Sequence, residues 1–223
     1  MSKPDPDEVS RQLAARSLAN DDPTGWFEVL YRAAEAGETQ VPWERTAPNA
    51  LLAEWAAGSD GHGKRAIVIG FGTGQDSEFI ASIGYDTTAF EVAATAVSAA
   101  RRHFPNSRVD YVEADLLALP AQWIGRFELV VECLTVQSLP RPLRAQAIAA
   151  VVSLLGPGGR LIVVATSIDP AGDLNAGPPW PLTEAEIGIF GRPGITVVRQ
   201  EHFPFADDPG FGRWRIEFAR ESP

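Results

Sequence analysis

Hydrophobic and polar positions change their period along the chain, and the change divides it into two parts. In the first part apolar residues recur at helical spacing, which predicts a helix over 9–19, a second helix that carries Trp26, and a third over 49–55. From residue 66 onward, short apolar runs rich in β-branched residues alternate with helical stretches. This alternation is typical of parallel strands joined by helical crossovers.

The alternating part predicts an α/β fold. Its strands are expected at 66–70, 86–91, 108–113, 127–132 and 160–166, and its helices at 76–83, 93–103 and 141–154, with a short helical turn near 118–124. Two further strand-like runs, 195–203 and 211–219, flank the turn-rich segment 206–210 and predict an antiparallel pair. We therefore expect a doubly wound, Rossmann-like, mostly parallel seven-stranded sheet with a C-terminal antiparallel strand pair.

The two parts predict a division into an N-terminal helical extension, residues 1–60, and an α/β domain, residues 61–223. The chain through about Glu8 is expected to be a disordered start, and the glycine-rich segment 58–63 a flexible junction. The glycines of 156–159 predict a sharp stop between a helix and the fifth strand.

Composition excludes several classes of protein. The chain has 223 residues, of which 45% are hydrophobic, and a formal net charge of −10, which disfavours binding to nucleic acid. Cys133 is the single cysteine and no Cys/His spacing resembles a metal site, so we expect neither an internal disulfide nor a bound metal. The polar, acidic start is unlike a secretory signal and no apolar run is long enough to span a bilayer, so we expect a cytoplasmic protein without a membrane partner. No pattern in the chain predicts its oligomeric state.

The apolar run 66–69 ends in three alternating glycines, Gly70, Gly72 and Gly74, directly before a predicted helix. A strand, a glycine turn and a helix N-terminus together form a nucleotide-type site at the carboxyl edge of a parallel sheet. The spacing differs from the dinucleotide fingerprint Gly-x-Gly-x-x-Gly, which counts against a nicotinamide-dependent oxidoreductase. The alternative is a tight turn without a ligand, in which Asp76 is only a favourable charge at the start of the helix.

Acidic residues follow the next two predicted strands. Glu91 ends the second strand, where a carboxylate lies beside the glycine turn and accepts hydrogen bonds from ribose hydroxyls. Asp115 follows the third strand, where it either accepts a hydrogen bond from an adenine amino group or caps the next turn. Three such features at successive strand ends favour a nucleoside site.

These motifs together resemble those of the class I S-adenosylmethionine-dependent methyltransferases. The stretch 67–74 is similar to their glycine motif, 90–91 to their ribose-binding acid, 114–116 to their adenine-contacting segment, and 154–161 to the turn before their fifth strand. The resemblance covers roughly residues 60–220 and implies S-adenosyl-L-methionine as methyl donor and S-adenosyl-L-homocysteine as product. It implies cofactor contacts from Gly70, Phe71, Gly72, Gly74, Asp76, Glu91, Val92, Asp115, Leu116, Glu132 and Trp43.

The stretches 72–76 and 41–44 resemble the thiopurine S-methyltransferase-like branch, which includes thiol and halide methyltransferases. In that branch an N-terminal helical segment with tryptophans forms a lid over cofactor and substrate. The resemblance implies such a lid here, with Trp43 over the cofactor and Trp26 near the substrate. For Trp26, packing of the extension onto the domain is an equally good interpretation. Phe71 departs from the branch, which usually has cysteine at that position.

The same resemblance implies that the end of the fourth strand faces the transferred methyl group. Glu132 would orient the acceptor or the cofactor amino group, or accept a proton, and Thr135 and Gln137 would line the acceptor pocket. Trp180, in a proline-rich loop of the 168–182 segment, would close that pocket. For Thr135 the structural alternative is capping of the next turn. For Trp180 it is a rigid proline turn. Cys133 is expected to be a small buried apolar residue.

The expected reaction is direct methyl displacement onto a small-molecule acceptor, with a thiol sulfur as the first candidate. Because the methyl donor is already activated, the protein mainly supplies alignment and exclusion of water. An O- or N-methyltransferase of a natural-product-type molecule and a non-catalytic cofactor-binding module are the alternatives.

Overall fold

Seven strands form one mixed sheet in the computed structural model, which describes residues 5–168, 177–207 and 210–222. The strands are β1 Arg65–Ile69, β2 Asp86–Glu91, β3 Asp110–Glu113, β4 Phe127–Cys133, β5 Leu155–Ile168, β6 Ile195–Pro204 and β7 Phe211–Arg220. The α-helices in the described residues are α1 Pro6–Leu18, α2 Gly25–Glu35, α3 Ala50–Trp55, α4 Gln75–Ser82, α5 Ala94–His103, α6 Arg141–Ser153 and α7 Glu184–Gly188. Short 3-10 helices cover Leu116–Ala118, Ala121–Trp123 and Val136–Ser138.

The strand order is β3-β2-β1-β4-β5-β7-β6. Strands β1 to β5 are parallel to one another, and β7 is antiparallel to both of its neighbours, β5 and β6. The predicted fold, including the antiparallel C-terminal pair, is confirmed. The chain order reverses between β1 and β4, so a crevice is expected where the carboxyl ends of these two strands meet.

Both faces of the sheet are covered, which explains why the parallel strands are continuous apolar runs. On one face, Val163 of β5 and Phe218 of β7 belong to a core that includes Ile148 of α6. On the other face, Val131 of β4 belongs to a second core that includes Ile80 of α4 and residues of α2, α3 and α5. The helical extension therefore lies on the same face as α4 and α5.

Two local expectations are wrong. The predicted disordered start is instead helical from Pro6, because the Asp5 side chain accepts a hydrogen bond from the Asp7 amide and Pro6 suits the first helical turn. Residues 1–4 lie outside the described residues. The glycines of 156–159 do not separate α6 from the fifth strand, because β5 begins at Leu155 and takes up the extra residues as a register shift against β4.

The extension is tied to the sheet domain at two places. Glu28 of α2 accepts hydrogen bonds from the backbone amide of Thr95 at 3.0 Å and from its hydroxyl at 2.7 Å, at the start of α5. At the other end, the Trp55 indole of α3 donates to Glu217 of β7 at 3.0 Å, and Arg215 donates to the carbonyl of Leu51. Because both ends are fixed, the chain between α2 and α3 is held over the glycine turn.

Candidate functional site

The turn after β1 requires its three glycines for both conformation and space. Gly70, Gly72 and Gly74 have φ values of +56°, +63° and +90°, in the left-handed region that side chains disfavour. A Cβ atom on Gly70 would lie 2.5 Å from the Thr135 hydroxyl, and one on Gly72 would lie 3.1 Å from the Trp43 ring. The turn is therefore packed between the end of β4 on one side and the extension on the other.

Glu91 lies beside this turn, as predicted from its place at the end of β2. Its two carboxylate oxygens accept hydrogen bonds from the amides of Gly72, at 3.3 Å, and Val92, at 3.0 Å. The side chain is buried, and burial raises the pKa of Glu91 to about 7. A buried acid joined to a glycine turn at the switch point of the sheet is suited to receive hydroxyl donors.

Trp43 and Tyr31 cover the glycine turn from the extension. The Trp43 indole lies against Gly72 and donates a hydrogen bond to the Tyr31 hydroxyl at 2.9 Å. Burial and the nearby charge of Glu91 raise the pKa of Tyr31 well above its usual value. Tyr31 was missed as a site residue because its place on the apolar face of α2 gives only a packing signal.

Trp26 is placed differently from Trp43. It is 2% exposed and stacks on Phe27 with ring centroids 3.9 Å apart. With Ala14 of α1 and Leu30 of α2 it forms a small core between the two helices. Packing of the extension accounts for these contacts. A contact between Trp26 and an acceptor stays a prediction.

Asp76 fixes the chain that crosses the turn. Its carboxylate accepts from Arg45 at 2.8 Å and from the amide of Asn49 at 2.7 Å, so both oxygens have partners within the chain. Cys133, at the end of β4, lies beside Asp76, and burial together with this negative charge raises the pKa of the thiol well above its usual value. Arg45 was missed because its pairing with a residue 31 positions away has no local signal.

The segment after β3 has the predicted turn-capping geometry. Asp115 accepts a hydrogen bond from the amide of Leu117 at 2.8 Å, through one of its two carboxylate oxygens. Leu116 is buried in the core on the α6 face. The predicted contact of Asp115 with adenine would use the other oxygen and stays a prediction.

Glu132 is fully buried at the end of β4. One of its oxygens accepts hydrogen bonds from the amides of Thr135 and Val136 at 2.8 and 2.9 Å, while the other has no partner among the described residues. Burial raises the pKa of Glu132 to about 7. An acid of this kind can exchange a proton near neutral pH, and its unpartnered oxygen can accept one further hydrogen bond.

The turn that Glu132 holds is strained and joined to β1. Leu134 has φ of +66°, which is uncommon for a residue with a side chain. The Thr135 hydroxyl donates to the carbonyl of Ile69 at 3.0 Å. The Thr135 side chain makes no capping hydrogen bond with the 3-10 helix that follows it, so the capping alternative is wrong. The contact of Thr135 with an acceptor stays a prediction.

Gln137 and Trp180 are held by hydrogen bonds to the end of β5 and to α6. The Gln137 side chain accepts from the amide of Thr166 at 2.6 Å and donates to its hydroxyl at 3.0 Å, while the Gln137 carbonyl accepts from the amide of Trp180. The fully buried Arg144 donates to the carbonyl of Trp180 at 2.7 Å. Residues 169–176 of the predicted acceptor loop lie outside the described residues.

The carboxyl edge thus gathers most of the predicted residues around one turn that the extension already covers. Within the described residues no cluster of His, Cys, Asp and Glu has the arrangement of a metal site. None of their helices combines the length and the apolarity needed to cross a membrane. A cavity of about 460 Å³ lies elsewhere, at the opposite edge of the sheet between Trp55, Tyr85 and Arg160.

Comparison with known proteins shows that the chain is similar to methyltransferases. Residues 66–159 match the model of a family described as a methyltransferase domain. The chain is 29% identical over 221 residues to a probable thiol methyltransferase 2 of Arabidopsis thaliana, and the match covers 92% of this chain and 91% of the plant protein. It is 34% identical over 116 residues to a ubiquinone biosynthesis O-methyltransferase of Aromatoleum aromaticum, a match that covers 51% of this chain and 49% of that protein.

Among solved structures, the fold is similar to that of the N-methyltransferase NodS from Bradyrhizobium japonicum WM9 in complex with S-adenosyl-L-homocysteine. The TM-score is 0.62 at 18% sequence identity, and the superposition covers 96% of this chain and 99% of that chain. The names of the three relatives refer to three different acceptor atoms, sulfur, oxygen and nitrogen.

Proposed function

We propose that this chain, a class I S-adenosylmethionine-dependent methyltransferase, methylates the sulfur of a small thiol by direct displacement. The observation that carries this proposal is the extent of similarity to the plant thiol methyltransferase, which covers 92% of this chain, whereas the match to the O-methyltransferase covers about half. A thiol is partly ionised near neutral pH, so it needs little help from a general base.

The residues at the carboxyl edge fit the proposed methyl donor. S-adenosylmethionine supplies a methyl group on a positively charged sulfonium. Glu91 would accept hydrogen bonds from the ribose hydroxyls, next to the amides of Gly72 and Val92. The second oxygen of Asp115 would accept a hydrogen bond from the adenine amino group. Trp43 would keep water from this side of the site, since its indole lies against Gly72. A side chain on Gly70 or Gly72 would meet Thr135 or Trp43, so the turn between them has no room for one.

On the acceptor side the proposal assigns positions at the ends of β4 and β5. Glu132 would present its unpartnered oxygen to the cofactor amino group or to the acceptor. Thr135 and Trp180 would border the acceptor, and Gln137 would hold the end of β5 in place through its two hydrogen bonds with Thr166. Asp76 would act by fixing the extension and by placing a negative charge beside Cys133.

A hydroxyl acceptor is the second candidate, and one observation favours it. Glu132 has a pKa raised to about 7 and a free oxygen, which are the properties of a general base for an alcohol or phenol. A thiol acceptor would make less use of that base. The two candidates therefore differ in how strongly turnover depends on Glu132.

The proposal is tested by a methyl-transfer assay with labelled S-adenosylmethionine and matched panels of thiols, phenols, amines and halides. We expect methylated thiols, and calorimetric binding of S-adenosylmethionine and S-adenosylhomocysteine with little affinity for NAD. At saturating S-adenosylmethionine, Glu132→Gln should change kcat for thiols only slightly, because a thiolate needs no general base. Product from phenols alone, together with a large loss in Glu132→Gln, would replace the thiol by a hydroxyl acceptor.

A further inference from the structure

Arg213 is a half-buried cation at the carboxyl edge of the sheet. It is the third residue of β7 and pairs in register with Thr166 near the end of β5. One guanidinium nitrogen, Nη1, donates to the Thr166 hydroxyl at 2.7 Å and to the carbonyl of Gly212 at 3.4 Å. The guanidinium carbon lies 4.8 Å from the centroid of the Phe205 ring. All of these partners are neutral.

The lack of a carboxylate separates Arg213 from its neighbours. Arg215, two positions further on the same face of β7, pairs with Glu201 and Glu54, and Arg45 pairs with Asp76. Across the described part of the chain, no carboxylate lies within ion-pair distance of Arg213, and its Nε and Nη2 groups make no hydrogen bond. A partly buried charge without a counter-ion is unfavourable unless a ligand supplies one.

The surroundings of Arg213 make its positive charge less favourable in the absence of an anion. Burial and the positive charge of Arg45 both lower the pKa of Arg213. The same Arg45 is held by Asp76, which lies beside Cys133 at the end of β4. Cys133 is paired in register with Val164 of β5, two residues before Thr166. Arg213 therefore lies at the same edge of the sheet as the glycine turn, on the third strand from β1.

We propose that Arg213 recognises the negative charge of the methyl acceptor, so that the acceptor is a small anion. The proposal rests on the function proposed above and deepens it. A bound thiolate would form the new carbon–sulfur bond with its own electron pair, the methyl–sulfonium bond would break, and its electron pair would stay on the departing sulfur. No proton moves in this step.

Arg213 would act on binding more than on the chemical step. The anionic charge of a thiolate diminishes as the methyl group transfers, so a guanidinium stabilises the bound acceptor at least as well as the transition state. Loss of the charge should therefore raise KM for the acceptor more than it lowers kcat. If Arg213 only held Thr166 in place, its loss would not raise KM for the acceptor more than it lowers kcat.

Binding can be tested without turnover by calorimetric titration of thiocyanate, a sulfur anion without a titratable proton, into the protein saturated with S-adenosylhomocysteine. We expect Arg213→Gln to weaken thiocyanate binding about tenfold or more, since a charge-assisted hydrogen bond is lost. Arg213→Lys, which keeps the charge, should recover part of the affinity. Arg220→Gln, on the same strand at the other edge of the sheet, is the matched control and should bind like the unchanged protein.

Equal thiocyanate affinity in Arg213→Gln and the unchanged protein would overturn the proposal, as would no thiocyanate binding by a protein that binds S-adenosylhomocysteine normally. Thermal unfolding of each variant identifies any loss of fold. If Arg213→Gln does not fold, the thiocyanate affinities of Arg213→Lys and the unchanged protein are compared instead. If thiocyanate binds through Arg213 but no acceptor is methylated, the proposed function fails while the anion site stands.

Two acceptors distinguish the source of the charge. With 3-mercaptopropionate and 2-mercaptoethanol as acceptors, recognition of the thiolate predicts that Arg213→Gln raises both KM values by a similar factor. Recognition of a carboxylate elsewhere on the acceptor predicts a rise for 3-mercaptopropionate alone. Unchanged KM values for both acceptors would contradict the proposal.

Discussion

The indole nitrogen of Trp43 donates a hydrogen bond to the hydroxyl of Tyr31 at 2.9 Å, and this pair covers the glycine turn beside Glu91. The two residues are 12 positions apart, with Tyr31 in α2 and Trp43 in the segment between α2 and α3. Because the turn is packed under these rings, a cofactor can enter only if Trp43, Tyr31 or the chain between them moves. We therefore predict that the extension acts as a lid, which exchanges its own contacts for contacts with the ligand.

Replacement of the two tryptophans should separate lid function from packing. Trp43→Ala should weaken S-adenosylmethionine binding about tenfold and lower stability only modestly, because Trp43 is only partly buried. Trp26→Ala should cost about 3–5 kcal/mol of stability, because it empties the core shared by α1 and α2. Calorimetric titration and denaturant unfolding measure the two effects. A stability loss in Trp43→Ala as large as that in Trp26→Ala would assign Trp43 to packing alone.

The sequence was sufficient for the sheet and for the contact between Glu91 and Gly72, because both depend on strand ends. A residue at the carboxyl end of β2 must lie beside the turn after β1 once the strands are parallel. Tyr31, Arg45 and Arg213 could not be found in this way, since each acts through a residue far away in the chain. Such pairings depend on how the extension and β7 pack against the sheet, for which local periodicity carries no information.

Glu91→Ala should weaken binding of S-adenosylmethionine about tenfold or more, because the ribose hydroxyls would lose a charged acceptor. Glu113→Ala is the matched control, since Glu113 occupies the same register at the end of β3 but is solvent-exposed. Calorimetry on both variants gives the affinities, and circular dichroism verifies the fold. Unchanged affinity in a folded Glu91→Ala protein would contradict the ribose assignment.

The buried acids should make stability depend on pH. Burial raises the pKa of Glu132 from 4.5 to about 7, so between these values the folded state binds more protons than the unfolded state, and its stability falls as pH rises. Above about pH 7 this destabilisation is complete, at roughly 3 kcal/mol. Glu91 should contribute in the same direction.

Glu132→Gln isolates this effect, because the amide oxygen can still accept from the amides of Thr135 and Val136 while the buried charge is removed. The free energy of unfolding of the variant should exceed that of the unchanged protein by clearly more at pH 8 than at pH 5. Guanidinium unfolding at the two pH values measures the difference. The same relative stability at both would show that Glu132 does not titrate in this range.

The pairing of Asp76 with Arg45 should control the lid rather than the cofactor directly. Asp76→Asn removes the charge that holds Arg45 and weakens the acceptor of the Asn49 amide, so the segment 41–49 should open more often. Hydrogen exchange at the Asn49 amide should become faster, and the affinity for S-adenosylmethionine should fall through this opening. Glu35→Gln is the control, because the ion pair of Glu35 with Arg102 joins α2 to α5 but is exposed.

The two readouts decide between a lid anchor and a direct contact for Asp76. A lid anchor requires faster exchange at Asn49 in the free protein together with weaker binding, and Arg45→Gln should reproduce both because it removes the other half of the same pair. A direct contact with the cofactor predicts weaker binding in Asp76→Asn with exchange at Asn49 unchanged, and little effect of Arg45→Gln.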